Sequence, residues 1–172
     1  THKDPSLAVM TDPSQCVTCE EGTWCSIGSA EATPCSPGTV NPNERQASCT
    51  SCIEGKFMNE SGKTACFECV PGSYCAQGAS APLPCAEGTF SNASGLGSSD
   101  QCTACPAGSS CSTGSLVHTP CSAGTVQPAS EQGTCAKCEA GKYQHGQGET
   151  ACFECVAGSY CEEGASAPLP CH

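Results

Sequence analysis

The cysteines of this chain repeat with a fixed period of 86 residues. The ten cysteines at positions 16, 19, 25, 35, 49, 52, 66, 69, 75 and 85 all recur 86 positions later, without a gap, between positions 102 and 171. Such self-similarity indicates a repeat architecture in which each unit contacts mainly its neighbours. We therefore divide the chain into an N-terminal extension or docking arm (1–15), a first copy (16–101) and a second copy (102–172) whose last segment is incomplete.

Within each copy, a shorter segment begins every 16 to 20 residues. It opens with a cysteine and has a glycine, the turn glycine, three positions later. Two positions after the turn glycine comes an aromatic residue or valine, with Ser110 as the exception. The turn glycines are Gly22, Gly38, Gly55, Gly72, Gly88, Gly108, Gly124, Gly141 and Gly158.

This rhythm predicts a β-hairpin for each segment. Glycine permits a turn with positive φ, and the residues that follow it favour a short strand. We expect one ring and one cystine to form the core of each hairpin, and we expect the proline-rich stretch GASAPLP to be a stiff spacer between hairpins. The predicted fold class is a small disulfide-rich repeat: an elongated rod of short hairpins with little or no helix and no single hydrophobic core.

Composition indicates an extracellular or cell-surface location. Twenty of 172 residues are cysteine, whereas only eight are aromatic, so cross-links must replace much of the buried area of an ordinary core. Such cysteine content is typical of oxidising compartments. The net charge of −11 argues against nucleic acid as a partner, and no apolar run is long enough for direct membrane insertion. The first residues do not resemble a signal peptide, which is expected of a mature product or of a slice from a longer chain.

Two disulfide schemes are compatible with the spacing. The simpler one closes each segment on itself, and it gives Cys19–Cys25, Cys35–Cys49, Cys52–Cys66, Cys69–Cys75, Cys85–Cys102, Cys105–Cys111, Cys121–Cys135, Cys138–Cys152 and Cys155–Cys161. The rival scheme crosses the pairs, as in Cys66–Cys75 with Cys69–Cys85, and it forces Cys49 onto Cys52. We favour the simpler scheme because short Cys-x-x-Cys bridges are typical of strained, reducible sites.

The simpler scheme leaves Cys16 and Cys171 for a bridge to a next repeat or to another subunit. If two chains abut, sixteen residues separate Cys171 from the next Cys16, as they separate Cys85 from Cys102. A head-to-tail homopolymer would therefore continue the rhythm in register. The alternative is an arbitrary cut through a longer array, in which flanking repeats of the same chain take the place of the second copy.

We assign no catalytic residue, no metal site and no cofactor, and we do not expect an enzyme. Six Cys-x-x-Cys pairs could suggest zinc or redox sites, but the single cysteines between them break any four-ligand grouping. The sequence contains two N-glycosylation sequons, at Asn59 and Asn92, both in expected loop tips. N-linked glycans are therefore expected, and the many Ser, Thr and Pro residues leave room for O-linked ones.

The stretches CVPGSYCAQGASAPLPCAEGTF (69–90) and CPAGSSCSTGSLVHTPCSAGTV (105–126) resemble the ephrin-receptor-like cysteine-rich repeat. The resemblance covers nearly everything after residue 15. Similar repeats occur in receptor ectodomains, protist surface antigens and mastigoneme (flagellar hair) glycoproteins. The resemblance, with two near-identical copies, implies a structural extracellular glycoprotein, a repeat segment of a filament, flagellar hair or surface coat. The alternative is the ligand-binding or stalk ectodomain of a cell-surface receptor or adhesin.

Overall fold

The computed structural model describes residues 2–3 and 15–171, and over these residues the chain forms ten two-stranded antiparallel hairpins. Each strand has two residues. The five hairpins nearest the N-terminus are β1 (His2–Lys3) with β2 (Cys16–Val17), β3 (Thr23–Trp24) with β4 (Thr33–Pro34), β5 (Thr39–Val40) with β6 (Thr50–Ser51), β7 (Lys56–Phe57) with β8 (Phe67–Glu68), and β9 (Ser73–Tyr74) with β10 (Leu83–Pro84).

The remaining five hairpins follow the same plan. They are β11 (Thr89–Phe90) with β12 (Thr103–Ala104), β13 (Ser109–Ser110) with β14 (Thr119–Pro120), β15 (Thr125–Val126) with β16 (Ala136–Lys137), β17 (Lys142–Tyr143) with β18 (Phe153–Glu154), and β19 (Ser159–Tyr160) with β20 (Leu169–Pro170). A 3-10 turn at Ser99–Gln101 is the only helical element between residues 16 and 171. The predicted disulfide-rich hairpin repeat is confirmed, while the rod shape stays a prediction.

One register is shared by all the hairpins whose pairing is resolved residue by residue. The residue two positions after the turn glycine lies opposite the residue two positions before the next opening cysteine, as Val40 lies opposite Thr50. In β1, His2 lies opposite Val17, which also stands two positions before an opening cysteine, Cys19. Part of the predicted N-terminal arm therefore pairs like a repeat segment. Residues 4–14 of that arm lie outside the described residues.

The expectation that GASAPLP separates hairpins is wrong. Its last two residues, Leu83–Pro84 and Leu169–Pro170, form the second strands β10 and β20. Proline has no N–H to donate, so it suits a strand of a two-stranded hairpin, where one edge lacks a partner strand. The stretch therefore lies inside a hairpin, and the segments follow one another without a spacer.

The described residues divide into two compact units. One contains the described residues up to Val70 together with Tyr74–Leu83 and Ser94–Ser98. The other contains Pro71–Ser73, Pro84–Ala93 and the described residues from Ser99 onwards. Each backbone hydrogen bond between neighbouring segments lies within one of the two units.

Cysteines make up most of the buried hydrophobic residues. The opening cysteines from Cys19 to Cys138 are at most 1% exposed. The rings two positions after the turn glycines are only partly buried, and Tyr160 is 48% exposed. One apolar cluster of buried residues contains only Val40, Cys52 and Met58, with Cys66 packed against it. The small aliphatic and aromatic contribution explains why the fold depends on cross-links.

Candidate functional site: the junction between segments

Nine disulfides hold the segments, and their pairs are those of the simpler scheme. Four of them join an opening cysteine to the cysteine six residues later; the other five span 14 or 17 residues. Their Cα–Cα distances lie between 5.7 and 6.2 Å, within the usual range for cystines. Every opening cysteine is therefore one end of a disulfide, whether that disulfide spans six residues or 14 or 17.

The strands explain why neighbouring cysteines of a Cys-x-x-Cys pair do not bridge each other. Thr50 and Ser51, between Cys49 and Cys52, form β6. Three residue steps in an extended strand span about 10 Å, whereas a disulfide needs Cα atoms closer than about 7 Å. Cys49 and Cys52 are therefore held apart by the strand that they flank, and the crossed scheme is incompatible with this hairpin.

The two cysteines singled out for an intersubunit bridge, Cys16 and Cys171, are both exposed. The backbone of Cys16 lies opposite Lys3 in the pair formed by β1 and β2. Cys171 follows β20, and its N–H donates a hydrogen bond to the carbonyl of Gly158 at 3.0 Å. A bridge between these two cysteines stays a prediction.

The first bond of each junction comes from the turn glycine. Its N–H donates to the carbonyl oxygen of the residue three positions after the next turn glycine, at 2.7 to 2.9 Å. The donor and acceptor residues are Gly22 and Asn41, Gly38 and Met58, Gly55 and Cys75, Gly72 and Ser91, Gly88 and Cys111, Gly108 and Gln127, Gly124 and Gln144, and Gly141 and Cys161. The same bond is thus made eight times along the chain.

The second bond comes from the loop of the following segment. Each of the eight hairpin loops from β5–β6 to β19–β20 has an apex residue with positive φ, whose N–H donates to the carbonyl of the preceding segment's opening cysteine at 2.8 to 3.0 Å. These apex residues are Arg45, Gly62, Gly78, Gly95, Gly114, Glu131, Gly148 and Gly164, and their acceptors are Cys19, Cys35, Cys52, Cys69, Cys85, Cys105, Cys121 and Cys138. The loop is therefore fastened to the cystine core of its neighbour.

The third bond makes the residue three positions after the turn glycine the centre of the junction. Its N–H donates, at 2.8 to 3.1 Å, to the carbonyl of the residue that follows the apex residue of the next segment. Met58, for example, donates to Ala79, which follows the apex residue Gly78. The carbonyl of Met58 accepts the first bond from Gly38. From Asn41 to Gln144, this bridging position therefore contacts the segments on both sides. It is occupied by Cys25, Asn41, Met58, Cys75, Ser91, Cys111, Gln127 and Gln144, all at most 9% exposed.

The polar residues at the bridging position have hydrogen-bonded side chains, across the junction for Asn41 and within the hairpin for Gln127 and Gln144. The Nδ2 atom of Asn41 donates to the carbonyl of Thr23 at 2.8 Å, and the Nε2 atoms of Gln127 and Gln144 donate to the carbonyls of Thr134 and Ala151 at 2.7 Å. Among the described residues, no buried side-chain nitrogen or oxygen lacks a partner. A buried amide at this position therefore carries little desolvation cost.

The turn glycines also meet the segment after next. A Cβ atom added to Gly38, whose φ is +84°, would overlap the carbonyl oxygen of Gly78, and the same holds for Gly124, also at +84°, and Gly164. The contact recurs from Gly22 to Gly124. Glycine is therefore required at these positions for two reasons, the backbone conformation and the close approach of a backbone carbonyl.

Arg45 and Glu131 occupy apex positions at which the other junctions have glycine. Their φ values are +61° and +60°, in the left-handed region that costs an L-residue about 1–2 kcal/mol. The two positions lie 86 residues apart, so the same loop in each copy carries the same departure. Both side chains are exposed, and the junction bond from the N–H is made in both cases.

Replacing Arg45 or Glu131 by glycine is expected to stabilise the protein by about 0.5–1 kcal/mol, because relief of the left-handed conformation exceeds the entropy cost of a more flexible unfolded chain. Urea denaturation of the oxidised protein measures the change. Arg45→Ala is the control, since it removes the side chain and keeps Cβ. An equal gain from Arg45→Ala would attribute the effect to the side chain and not to the backbone.

Neither sequon residue takes part in a junction bond. Asn59 and Asn92 are exposed, each directly after a bridging residue, Met58 or Ser91. The Oγ atom of Ser94, the hydroxyl residue of the second sequon, donates to Oε1 of Glu68 at 3.2 Å. Both asparagines thus lie at the repeat position four after the turn glycine.

The surface offers a few shallow grooves. A groove of about 370 Å³ in the second unit is lined by residues that include Val126, Lys137 and Lys142. Both lysines face carboxylates: Lys142 lies 3.4 Å from Glu154, and Lys137 lies 3.5 Å from Glu163. Over residues 15–171 no group of three or more His, Cys, Asp or Glu side chains is arranged to hold a metal ion, and no helix is long and apolar enough to cross a membrane.

No protein-family model and no curated protein matches this chain. The resemblance to the ephrin-receptor-like repeat therefore stays a prediction. The disulfide content, in contrast, fits a secreted or extracellular protein.

Proposed function

We propose that this chain is a structural extracellular protein, a repeat segment of a filament, flagellar hair or surface coat. The observation that carries the proposal is the junction of three backbone hydrogen bonds, made eight times in the same way. Repeat proteins extend by stacking equivalent units through equivalent interfaces. A binding protein usually concentrates distinctive side chains in one patch, whereas here the recurring contacts belong to the backbone.

Backbone contacts make the segments interchangeable. The bridging position accepts Cys, Asn, Met, Ser or Gln, because the three recurring junction bonds use only its N–H and carbonyl groups. Hydrogen bonds between buried backbone groups are directional, so they fix the register of one segment on the next. Segments that differ in side chains can therefore be added by the same interface, either as flanking repeats of one chain or as a second copy placed head to tail.

Two near-identical stretches indicate what a following segment covers. Gly72, in CVPGSYC, is buried, whereas Gly158, in CVAGSYC, is exposed. Gly72 donates to Ser91 of the next segment, whereas within residues 15–171 the N–H of Gly158 has no backbone acceptor. We propose that Gly158 receives the next segment of the array through the same bond, and that Gly141, whose N–H already donates to Cys161, meets the apex carbonyl of that same segment.

Electron microscopy of the native chain and of the Gly141→Ala variant tests this function. We expect filaments or an ordered coat with the native chain. In the chain alone, the added methyl group meets open space, with no heavy atom within 4 Å. Gly141 lies 86 residues after Gly55, whose added Cβ would overlap the apex carbonyl of Gly95, so in an assembly the methyl group would overlap the apex carbonyl of a further segment. Gly141→Ala should therefore give folded protein without ordered assembly.

Gly28→Ala is the matched control. Gly28 also has a positive φ, +79°, with open space around its Cβ position, but it lies at a loop apex and not at a turn. This variant should assemble as the native chain does. A native protein that stays monomeric and captures a defined protein partner would instead favour the stalk or ligand-binding ectodomain.

A further inference from the structure

Two repeat positions place their side chains over the same hairpin, and together they point to a modification site. In the second copy, the rings of Tyr143 and His145 have centroids 6.2 Å apart, so the positions two and four after the turn glycine lie on one side of the chain. The buried Gln144 between them faces the other way. His145 also stacks on Phe153 of the facing strand, with centroids 5.5 Å apart and an interplanar angle of 18°.

The first copy has the same aromatic pair without the imidazole. Phe57 and Phe67 face each other across the hairpin at 6.0 Å, as Tyr143 and Phe153 do at 5.8 Å. Asn59 stands 86 residues before His145 and opens the sequon Asn-Glu-Ser. Phe67 is 54% exposed, a large apolar surface in a chain with few aromatic residues.

We propose that Asn59 carries an N-linked glycan whose first sugar packs on Phe57 and Phe67, in the place that the His145 ring takes in the second copy. The apolar C–H face of a pyranose ring suits an aromatic face, much as one ring suits another. Asn59 makes none of the junction bonds, so the glycan leaves the contacts between segments intact. This inference uses the extracellular location and not the assembly into filaments.

The modification transfers an oligosaccharide from a lipid-pyrophosphate donor of the secretory pathway. The Nδ2 atom of Asn59 forms a bond to C1 of the first sugar and loses one proton. The bond from C1 to the pyrophosphate oxygen breaks, and the lipid pyrophosphate leaves with the electron pair. No oxidation or reduction takes place, so the donor is the only co-reactant needed.

The adjacent sequon provides an internal comparison. Asn92 follows Phe90 at the same spacing, but the residue opposite Phe90 on the facing strand is Thr103, and Phe90 already contacts His118 with centroids 5.6 Å apart. A sugar at Asn92 would therefore contact one ring, Phe90, which His118 already covers on one side. A sugar at Asn59 would contact two rings, Phe57 and Phe67. The glycan at Asn59 is expected to stabilise the fold, and one at Asn92 is not.

The test uses protein secreted from a eukaryotic host, with Asn92→Gln in every variant so that only Asn59 can be modified. Intact-mass measurement should show one glycan, and thermal unfolding should give a Tm about 3 °C higher than that of the same protein with Asn59→Gln. Endoglycosidase trimming to a single sugar should keep this difference. With Phe67→Ala in the background, adding the glycan should leave Tm unchanged.

A second variant keeps the proposal testable if Phe67→Ala fails to fold. His145→Asn together with Gln147→Ser moves the sequon to the equivalent place beside Tyr143 and Phe153, where it should be occupied and should restore the stability lost with the His145 ring. An unmodified Asn59 in the secreted protein would overturn the proposal. A stabilisation that survives Phe67→Ala, or that vanishes on trimming to one sugar, would overturn the packing. None of these results depends on filament formation.

Discussion

Gly38→Ala is expected to destabilise the oxidised protein by about 4 kcal/mol. The left-handed backbone at φ +84° contributes about 1–2 kcal/mol of this. The remainder comes from the added Cβ, which would overlap the carbonyl oxygen of Gly78 and push the segment after next away. Because the N–H of Gly38 bonds to Met58 at 2.7 Å, the same displacement weakens a junction bond. Urea denaturation measures the loss.

Hydrogen exchange locates the damage. The N–H of Gly78 donates to Cys52, so this amide should exchange about a hundredfold or more faster in the variant if the contact between segments opens. Gly124→Ala, the equivalent change in the second copy, should behave alike. Gly28→Ala carries the same kind of strain without a neighbour and should cost only about 1–2 kcal/mol. Equal losses from Gly28→Ala and Gly38→Ala would show that the approach of Gly78 does not constrain Gly38.

The hairpins could be predicted because their causes are local. The spacing from Cys35 to Gly38 and Val40 combines a turn residue with a strand former, and the closing cysteine returns before the next segment opens. The place of Leu83–Pro84 was missed for an opposite reason. The prolines of GASAPLP, Pro82 and Pro84, indicate an extended chain equally well in a spacer and in an edge strand. Only the partner strand distinguishes the two.

The junction could not be predicted from residue types. The bridging position holds Cys25, Asn41, Met58 and Ser91, which share no chemical property, because the backbone makes the contact there. The burial of this position is also hard to predict, because the burial of Cys25 can be attributed to its disulfide alone. The contact of Gly38 with Gly78 spans forty residues and three segments, so it depends on how segments stack and not on any local pattern.

The disulfides also determine how far the chain can be stretched. Under tension, force passes through each cystine, so the residues inside a closed loop bear none of it. Between Cys19 and Cys161 the loops enclose about two thirds of the chain, since their spans run from 6 to 17 residues and only short stretches lie between them. The cystines would thereby limit how far a segment of a filament or coat lengthens under load.

Single-molecule stretching is expected to show this limit directly. The oxidised chain between Cys19 and Cys161 should extend to about 200 Å, whereas the reduced chain should reach about 500 Å, at about 3.5 Å per residue. Optical tweezers, with handles attached outside these two cysteines, measure both lengths on one molecule before and after a thiol reductant is added. The gain of about 300 Å belongs to the nine loops together.

Removing single loops provides the control and decides which contacts resist force. Loss of Cys85–Cys102 by paired replacement with serine should lengthen the oxidised chain by about 50 Å, whereas loss of Cys69–Cys75 should lengthen it by about 15 Å, in proportion to their spans of 17 and 6 residues. Junction bonds should break first, at low force, because each is a backbone hydrogen bond worth about 1 kcal/mol, while cystines are covalent. Similar gains from the two losses would contradict the loop assignment, and an oxidised chain that reached the reduced length would show that cystines do not carry the tension.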